Sequence, residues 1–308
     1  MKNTISVVIP VYFNEDSLPK LFEELGLVEN ELSKKQICLE LIFIDDGSGD
    51  KSLDVLLEFK NTRPETTIIK LTRNFGAIKA VKAGLKFVTG DAFSVLAADL
   101  QDPPNLILEM VNRWLSGSKF VICARRTRDD PLVKKTLAKL YYKILRLIVI
   151  KNYPDGGYDL SLMDKTFLPH LLNSSKSVFL PLLAYWIGYE PDTIYYHRRA
   201  RESGKSRWTL SKNLAAFLDV MLGFSVTPIR LISAIGFIVA LASFLYGANV
   251  VISSFFFEIP VKGFVTLVAL ITFLLGLIIV MLGLIGEYLW RIFNEIDKKP
   301  DSVIEEIW

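Results

Sequence analysis

Four clusters of polar residues follow short apolar runs in the first 102 residues of this 308-residue chain. They occupy positions 10–15 (PVYFNE), 45–48 (DDGS), 73–76 (RNFG) and 99–102 (DLQD). Their carboxylate and amide oxygens can bind Mg²⁺ or Mn²⁺, or accept hydrogen bonds from ribose hydroxyls. A single cluster of this kind is typical of an ordinary turn, since Asp, Asn, Gly and Ser are favoured there. Four in succession predict a binding site.

The elements that would position these clusters are strands and helices in alternation. Apolar strand patterns lie at 5–11, 39–44, 67–71, 92–98 and 120–124. The helical patterns between them lie at 16–33, 52–60, 76–88 and 105–117. This alternation predicts an α/β fold with a mainly parallel sheet covered on both faces, so that the clusters meet at one sheet edge. Neither G-x-G-x-x-G after the first strand nor G-x-x-x-x-G-K-[ST] occurs, which excludes the dinucleotide fingerprint and the P-loop.

Two uncharged stretches, 231–257 and 264–286, account for much of the 51% hydrophobic content. Each exceeds the roughly 20 residues that a helix needs to cross a bilayer, so they predict a transmembrane hairpin; the alternative is a pair of buried core helices. The loop between them contains one basic residue, whereas Arg and Lys flank the pair at 230, 291, 298 and 299. This asymmetry predicts that the rest of the chain is cytoplasmic. A net charge of +3 gives no reason to expect nucleic acid as a partner.

Residues 133–151 form an amphipathic helical pattern with a basic face. Such a helix in a membrane protein predicts an interfacial helix; the alternative is a helix packed on the sheet with its basic face in solvent. A second helical segment, 210–224, leads into the first apolar stretch.

The motifs SVVIPVYFNE, FIDDGS, LTRNFG, AADLQDPP and RESGKSRW are together similar to those of the membrane-associated family 2 glycosyltransferases. That family has the GT-A fold and includes dolichyl-phosphate mannose synthases and bacterial polyprenyl-phosphate glycosyltransferases. The resemblance covers the whole chain and implies a GT-A catalytic domain at 1–208, with an interfacial helix at 131–151. A second interfacial helix at 209–228, two transmembrane helices at 229–290 and a cytoplasmic tail at 291–308 would follow.

The resemblance also implies a reaction, in which a sugar passes from a nucleotide donor to a polyprenyl phosphate at the cytoplasmic face of the membrane, with inversion. Glucose from UDP-glucose and undecaprenyl phosphate are the expected pair. GDP-mannose or another UDP-sugar is an alternative donor, and an inactive membrane scaffold is an alternative of another class. Besides donor, lipid acceptor and membrane, relatives suggest a homo-oligomer.

Donor-binding residues follow from the same resemblance. The nucleoside would contact Pro10, Tyr12, Glu15, Asp45 and Asp46, with Asn74 and Lys79 nearby. The metal motif, which would hold Mg²⁺ or Mn²⁺, comprises Ala97, Asp99 and Gln101, and Asp99 is also an expected catalytic residue. Many relatives have Asp where this chain has Ala97, so one expected ligand is missing. Mg²⁺ often keeps several waters, so the loss is tolerable.

The residues expected to act on the acceptor lie further along the chain. Asp159 matches the catalytic Asp of the family, although Ser161 stands where relatives often have Arg. Arg125, Arg128, Lys205 and Arg207 would bind phosphate, and Arg207 would also reach the donor. A phosphate monoester is largely ionised at neutral pH, so Asp159 need only take a residual proton or position a reactant. A structural loop Asp is the alternative.

Overall fold

A computed structural model of the protein describes residues 3–125, 132–154, 156–175, 178–199, 217, 219–256 and 263–308. The chain divides into two compact units. One comprises residues 1–217 together with 299–308, and the other comprises residues 218–298.

A sheet forms the centre of the first unit. Its strands are β1 (Thr4–Val11), β2 (Cys38–Asp45), β3 (Thr67–Leu71), β4 (Ala92–Val95), β5 (Phe120–Arg125), β6 (Tyr158–Asp164), β7 (Asp192–Tyr196) and β8 (Ile304–Ile307). Over the described ranges the strand order is β7-β5-β6-β4-β1-β2-β3-β8. β1 pairs in parallel with β2 and β4, β2 with β3, and β5 with β7, whereas β6 and β8 are antiparallel to their neighbours. The prediction of a mainly parallel α/β fold is confirmed.

Helices cover both faces of this sheet. They are α1 (Leu18–Lys34), α2 (Ser52–Thr62), α3 (Ala77–Leu85), α4 (Leu106–Leu115), α5 (Leu132–Ile148), α6 (Leu168–Leu172) and α7 (Leu180–Trp186). The apolar residues of α1 recur every three or four positions and are buried against β2, which fixes the helix on the sheet. β1 and β2 are apolar along most of their length because both of their faces are covered.

The strand predicted at 92–98 is shorter than expected. β4 ends at Val95, although the N–H of Leu96 still donates to the carbonyl of Val8 at 3.0 Å. Residues 96–98 then lead into the DLQD cluster and are not in a strand. Their apolar composition is the same as that of a strand, so the sequence pattern could not show where β4 ends.

The second unit contains the two long helices α8 (Thr227–Phe256) and α9 (Phe264–Ile296). Both are long and apolar enough to cross a bilayer, over Thr227–Tyr246 and Phe273–Phe293, and none of the residues in these stretches whose burial the structure describes is buried. This exposure does not fit the alternative of buried core helices. Of the segment predicted at 209–228, residues 219–224 are helical, and residues 200–216 lie outside the described ranges.

Candidate active site

The candidate site lies at the edge of the sheet where the parallel strands end. Val11 at the end of β1 pairs with Asp45 at the end of β2, and β3 continues the same register. Because β6 runs antiparallel between β4 and β5, its first residues lie at this edge, where its neighbours finish. Asp159, the second residue of β6, is thereby placed beside Arg125, the last residue of β5.

The loop after β1 is fastened to the loop after β2. The N–H of Phe13 donates to the hydroxyl of Ser48 at 3.1 Å, and the N–H of Lys51 donates to the carboxylate of Glu15 at 2.8 Å. Phe13 has a φ of 57°, a left-handed conformation that is rare for an aromatic residue and is commonest at functional sites. The carboxylate of Glu15 therefore helps to hold the two loops together.

Asp45 and Asp46 are almost completely buried, at 1% and 2% exposure. Burial raises the pKa of both carboxyl groups, and hydrogen bonds oppose the rise. For Asp45 these bonds come from Ser48, whereas Asp46 accepts the N–H groups of Phe75 and Gly76 at 2.7 and 2.9 Å. Asp46 thus holds the RNFG loop, residues 73–76, in place.

Gly47 allows the loops after β2 and β3 to touch. Its φ is +68°, and a Cβ atom there would lie 2.6 Å from the carbonyl carbon of Arg73. The guanidinium of Arg73 lies over the ring of Phe75, 4.2 Å from its centre. In the same region Asn74 is exposed and Lys79, in the first turn of α3, is partly buried. At position 47, only glycine allows both the positive φ and the close approach to the backbone of Arg73.

The DLQD turn, residues 99–102, is strained in a similar way. Leu100 is buried and has a φ of 58°, and the N–H of Gln101 donates to the carboxylate of Asp99 at 3.2 Å. The hydroxyl of Ser17 donates to the carbonyl of Ala98 at 2.8 Å, which connects this turn to the loop after β1. Such backbone strain costs about 1–3 kcal/mol and is found mainly where function requires it.

The metal-binding potential of the turn is limited. In the ranges given above, no three His, Cys, Asp or Glu side chains come together as a metal-binding group. Ala97, partly buried ahead of the turn, supplies no side-chain ligand, which leaves Asp99 and Gln101 as the donors. One carboxylate and one amide fit a hard divalent cation that takes its other ligands from phosphate oxygens and water.

A cluster of four charged residues includes Asp102, the last residue of this turn; we call Arg125, Asp159, Arg198 and Asp102 the acidic–arginine cluster. Arg125 forms an ion pair with Asp159. Arg198 places Nη2 3.2 Å from Asp159 and Nε 3.3 Å from Asp102. Asp102, which is 2% exposed, also accepts a hydrogen bond from the Tyr196 hydroxyl. Two guanidiniums and two carboxylates therefore balance in charge at the sheet edge.

Backbone contacts connect the cluster to the DLQD turn. The N–H of Arg199 donates to the carbonyl of Gln101 at 3.0 Å, and its guanidinium lies 2.6 Å from the carboxylate of Glu24 on α1. The exit of β7 is therefore fixed to both the turn and a helix.

Comparison with known proteins assigns the chain to a family. Residues 6–172, more than half of the chain, match the profile described as Glycosyl transferase family 2. The chain is a family 2 glycosyltransferase. The GT-A fold that the motifs implied agrees with this membership.

Relatives of this glycosyltransferase cover almost its whole length. An uncharacterized glycosyltransferase of Synechocystis is 34% identical over 99% of this chain and 95% of that protein. The bactoprenol glucosyl transferase of Shigella phage SfII is 31% identical over 98% of this chain and 97% of that protein. Glucosyl-3-phosphoglycerate synthase from Mycobacterium tuberculosis, solved with Mn²⁺, UDP and phosphoglyceric acid, gives a TM-score of 0.48 at 18% identity, over 71% of this chain and 76% of that one.

The candidate site brings together several of the residues predicted from the sequence. Arg125 and Asp159 are in contact, and Asp99 and Gln101 occupy the adjacent turn. Pro10, Tyr12 and Glu15 are partly buried in and after β1. The predicted phosphate-binding residues Arg128, Lys205 and Arg207 lie outside the described residues.

Sequence reasoning missed Arg198 and Tyr196, and it placed Asp102 in the polar DLQD cluster without a role of its own. A sign of the first two was present in the sequence. Residues 192–196 (DTIYY) have the β-branched and aromatic composition of a strand, and the polar residues 197–199 follow directly. The rule that located the first four clusters would have located this one too.

Proposed function

We propose that this glycosyltransferase transfers glucose from UDP-glucose to a polyprenyl phosphate, with inversion at the anomeric carbon. The observation that carries the proposal is the acidic–arginine cluster, in which two guanidiniums face one partly exposed carboxylate beside the DLQD turn. Guanidinium forks match phosphate oxygens and can bind them bidentately. The bactoprenol glucosyl transferases among the relatives support glucose as the sugar and a polyprenyl phosphate as the acceptor.

The acceptor phosphate binds where the carboxylate of Asp159 now meets Arg125 and Arg198. A phosphate monoester has its second pKa near 6, so at neutral pH most of the acceptor is doubly ionised and can attack without a strong base. One phosphate oxygen forms a bond to the anomeric carbon as the bond from that carbon to UDP breaks. UDP leaves with the electron pair. Asp159 orients the guanidiniums and accepts the proton of any singly protonated acceptor.

The donor diphosphate lies at the DLQD turn. Asp99 and Gln101 would hold a divalent cation, Mg²⁺ or Mn²⁺, which offsets the charge that develops on the departing diphosphate. Asp45 and Glu15 accept hydrogen bonds from the nucleoside, while Asp46, already bonded to the RNFG loop, acts through that loop. Pro10, Tyr12, Asn74 and Lys79 line the nucleoside site, and Lys205 and Arg207 close on the phosphates.

The second unit brings the enzyme to its lipid substrate. α8 and α9 cross the bilayer, and the excess of Arg and Lys at the outer ends of this pair keeps the catalytic unit in the cytoplasm. α5 lies at the headgroups, where its basic residues attract anionic lipid. Leu147 of this helix is 83% exposed and provides an apolar contact for the bilayer.

A transfer assay with a panel of donors tests the proposal. The purified full-length enzyme in detergent would receive undecaprenyl phosphate and radiolabelled UDP-glucose, GDP-mannose or another UDP-sugar. We expect label in the lipid with UDP-glucose, loss of transfer with EDTA, and recovery when Mg²⁺ or Mn²⁺ is added. Transfer from GDP-mannose alone would contradict UDP-glucose as the donor. Failure with every donor would favour an inactive scaffold, and Ala97→Asp would then test whether the missing ligand is the reason.

A further inference from the structure

We propose that residues 301–308, which we call the C-terminal strap, position the RNFG loop for nucleotide binding. This inference rests on the proposed function, because it assigns the loop to the donor site. The strap belongs to the catalytic unit although it follows α9 in the sequence. Four residues, 297–300, separate it from the end of that helix.

The strap pairs with the strand that leads into the loop. β8 lies antiparallel to β3, with Ile307 opposite Ile69 and Glu306 opposite Lys70. Ile68 and Trp308 exchange two backbone hydrogen bonds, of 3.1 and 2.9 Å. Trp308 also packs against the hydrophobic core.

The strap also bonds to the residue that precedes the loop. The N–H of Thr72 donates to the carbonyl of Val303 at 3.1 Å. Thr72 immediately precedes Arg73, the first residue of the loop. The pairing register shifts between Lys70 and Leu71, close to this bond. Such a shift changes the direction in which the end of a strand points.

The first residue of the strap contacts the helix that follows the loop. The carboxylate of Asp301 lies 3.0 Å from the ammonium of Lys82, on the helix α3 that follows the loop. The side chain of Lys82 is only 9% exposed, and its ammonium also donates to the carbonyl of Ser174 at 2.5 Å. Because this ion pair is mostly shielded from water, it is screened less than a surface pair.

The strap therefore binds the chain on both sides of the RNFG loop. Within the loop, the N–H groups of Phe75 and Gly76 are held by Asp46, and Gly47 contacts the backbone of Arg73. A displacement of β3 or α3 would pass directly to these contacts. Without the strap, β3 would also become an open sheet edge.

Removal and replacement of the strap test the inference. A shortened enzyme that lacks residues 299–308 but keeps the rest of the chain would be compared with the unmodified enzyme in the UDP-glucose transfer assay. We expect the KM for UDP-glucose to rise about tenfold, the order expected for one or two lost hydrogen bonds, with the KM for undecaprenyl phosphate changed less than about twofold. The peptide KPDSVIEEIW, added in excess, should restore the donor KM by adding a strand to the open edge.

A peptide carrying Glu306→Pro is the matched control. Hydrogen-bonded pairs alternate along an antiparallel ladder, so position 306 lies in the same class as the bonded position 308 and needs its N–H. This peptide should not restore the donor KM. An unchanged donor KM in the shortened enzyme would overturn the inference. Equal losses for both substrates, without peptide rescue, would show a purely structural role and would also overturn it.

Single substitutions give a second test in case the shortened enzyme does not fold. Asp301→Asn should raise the donor KM about threefold, the order of one weakened ion pair, because it removes the charge that Lys82 faces. Glu305→Gln is its control, since the pair of Glu305 with Lys70 is more exposed than that of Asp301 with Lys82 and contributes less. Equal effects of the two substitutions would contradict the inference. If the unmodified enzyme uses no UDP-glucose, the proposed function fails first, and the inference fails with it.

Discussion

Arg198 connects the two halves of the site at the level of a single side chain. Its guanidinium lies 3.2 Å from the carboxylate of Asp159 through Nη2 and 3.3 Å from that of Asp102 through Nε. A lysine ammonium is a point charge and cannot reproduce this bridge. The bridge is therefore specific to arginine, and it explains how the exit of β7 fixes the orientation of a carboxylate on β6.

Arg198→Lys should weaken binding of the acceptor more than binding of the donor. We expect the KM for undecaprenyl phosphate to rise about tenfold, as when a charged hydrogen bond is lost, and the KM for UDP-glucose to stay within about twofold. Initial rates with each substrate varied in turn measure both. Arg199→Lys is the control, since the Arg199 side chain pairs with Glu24 away from the cluster. A rise in the donor KM alone would contradict the assignment.

Asp45→Asn should separate stability from donor binding. The pKa of Asp45 is raised by burial above its ordinary value of 3.8, so between that value and the raised one the folded state holds more protons than the unfolded state. The free energy of unfolding of the native enzyme therefore falls as pH rises through this window. The variant, which cannot titrate there, should match or exceed the native enzyme in stability at pH 7 and lose this advantage below about pH 4.

Thermal unfolding across this pH range measures the effect, and the donor KM is measured alongside. We expect the KM for UDP-glucose to rise about tenfold because a charged acceptor is lost. The contrary result is a variant whose free energy of unfolding falls below that of the native enzyme at pH 7 but not at pH 4. It would show that Asp45 stabilises the fold as an anion.

At the scale of elements, the site depends on loops that hold one another. The loop after β1 is bonded to the loop after β2, and that loop contacts the RNFG loop through Asp46 and Gly47. Ser17 then connects the start of α1 to the DLQD turn. Three of the four clusters that the sequence singled out are therefore held by direct contacts, and the fourth is joined through Ser17.

Gly47→Ala tests this mutual support. The new methyl group would meet the backbone of Arg73 at a positive φ, so we expect a loss of about 1–3 kcal/mol in the free energy of unfolding. The donor KM should rise as well, because the RNFG loop must move. Gly26→Ala is the control; it lies within α1 with open space around it, and should gain up to about 1 kcal/mol. A Gly47 variant as stable as the native enzyme would contradict the close contact.

The elements found from the sequence are those whose local pattern decides their structure. The five apolar runs predicted β1 to β5, and the periodic leucines of α1 predicted that helix. The direction of β6 could not be predicted, because it depends on pairing with β4 and β5 rather than on its own residues. β8 has only four residues, IEEI, and becomes a strand only by pairing with β3.

The same distinction applies to the candidate site. Asp99, Gln101, Asp159 and Arg125 were all predicted from the resemblance to the family, and the structure places Arg125 in contact with Asp159. A local pattern, polar residues after a strand, signals Arg198, but its place beside Arg125 and Asp159 depends on the pairing of β7 with β5, between residues about 70 positions apart. The buried role of Asp102 depends on Tyr196, which is 94 positions away in the sequence, and on Arg198.

At the scale of the whole molecule, two units of different character occur in one chain. The first has a covered sheet with its charged groups at one edge, and the second exposes two long apolar helices. A nucleotide donor is water-soluble, whereas a polyprenyl phosphate presents its charged group at the membrane surface. An enzyme that joins the two needs a soluble catalytic fold and an attachment to the bilayer, and this chain has both a catalytic unit and two candidate spans.

The transfer of label from UDP-glucose to undecaprenyl phosphate by Asp159→Asn, beside the native enzyme, tests the central claim most directly. Asp91→Asn is the matched control, since Asp91 precedes β4 at the opposite edge of the sheet, where it accepts the N–H of Thr4 at 2.9 Å. We predict that Asp159→Asn lowers kcat/KM by about 100-fold or more while Asp91→Asn stays within about threefold of the native enzyme. Full activity of Asp159→Asn, or equal loss in both variants, would contradict the placement of the reaction at the acidic–arginine cluster.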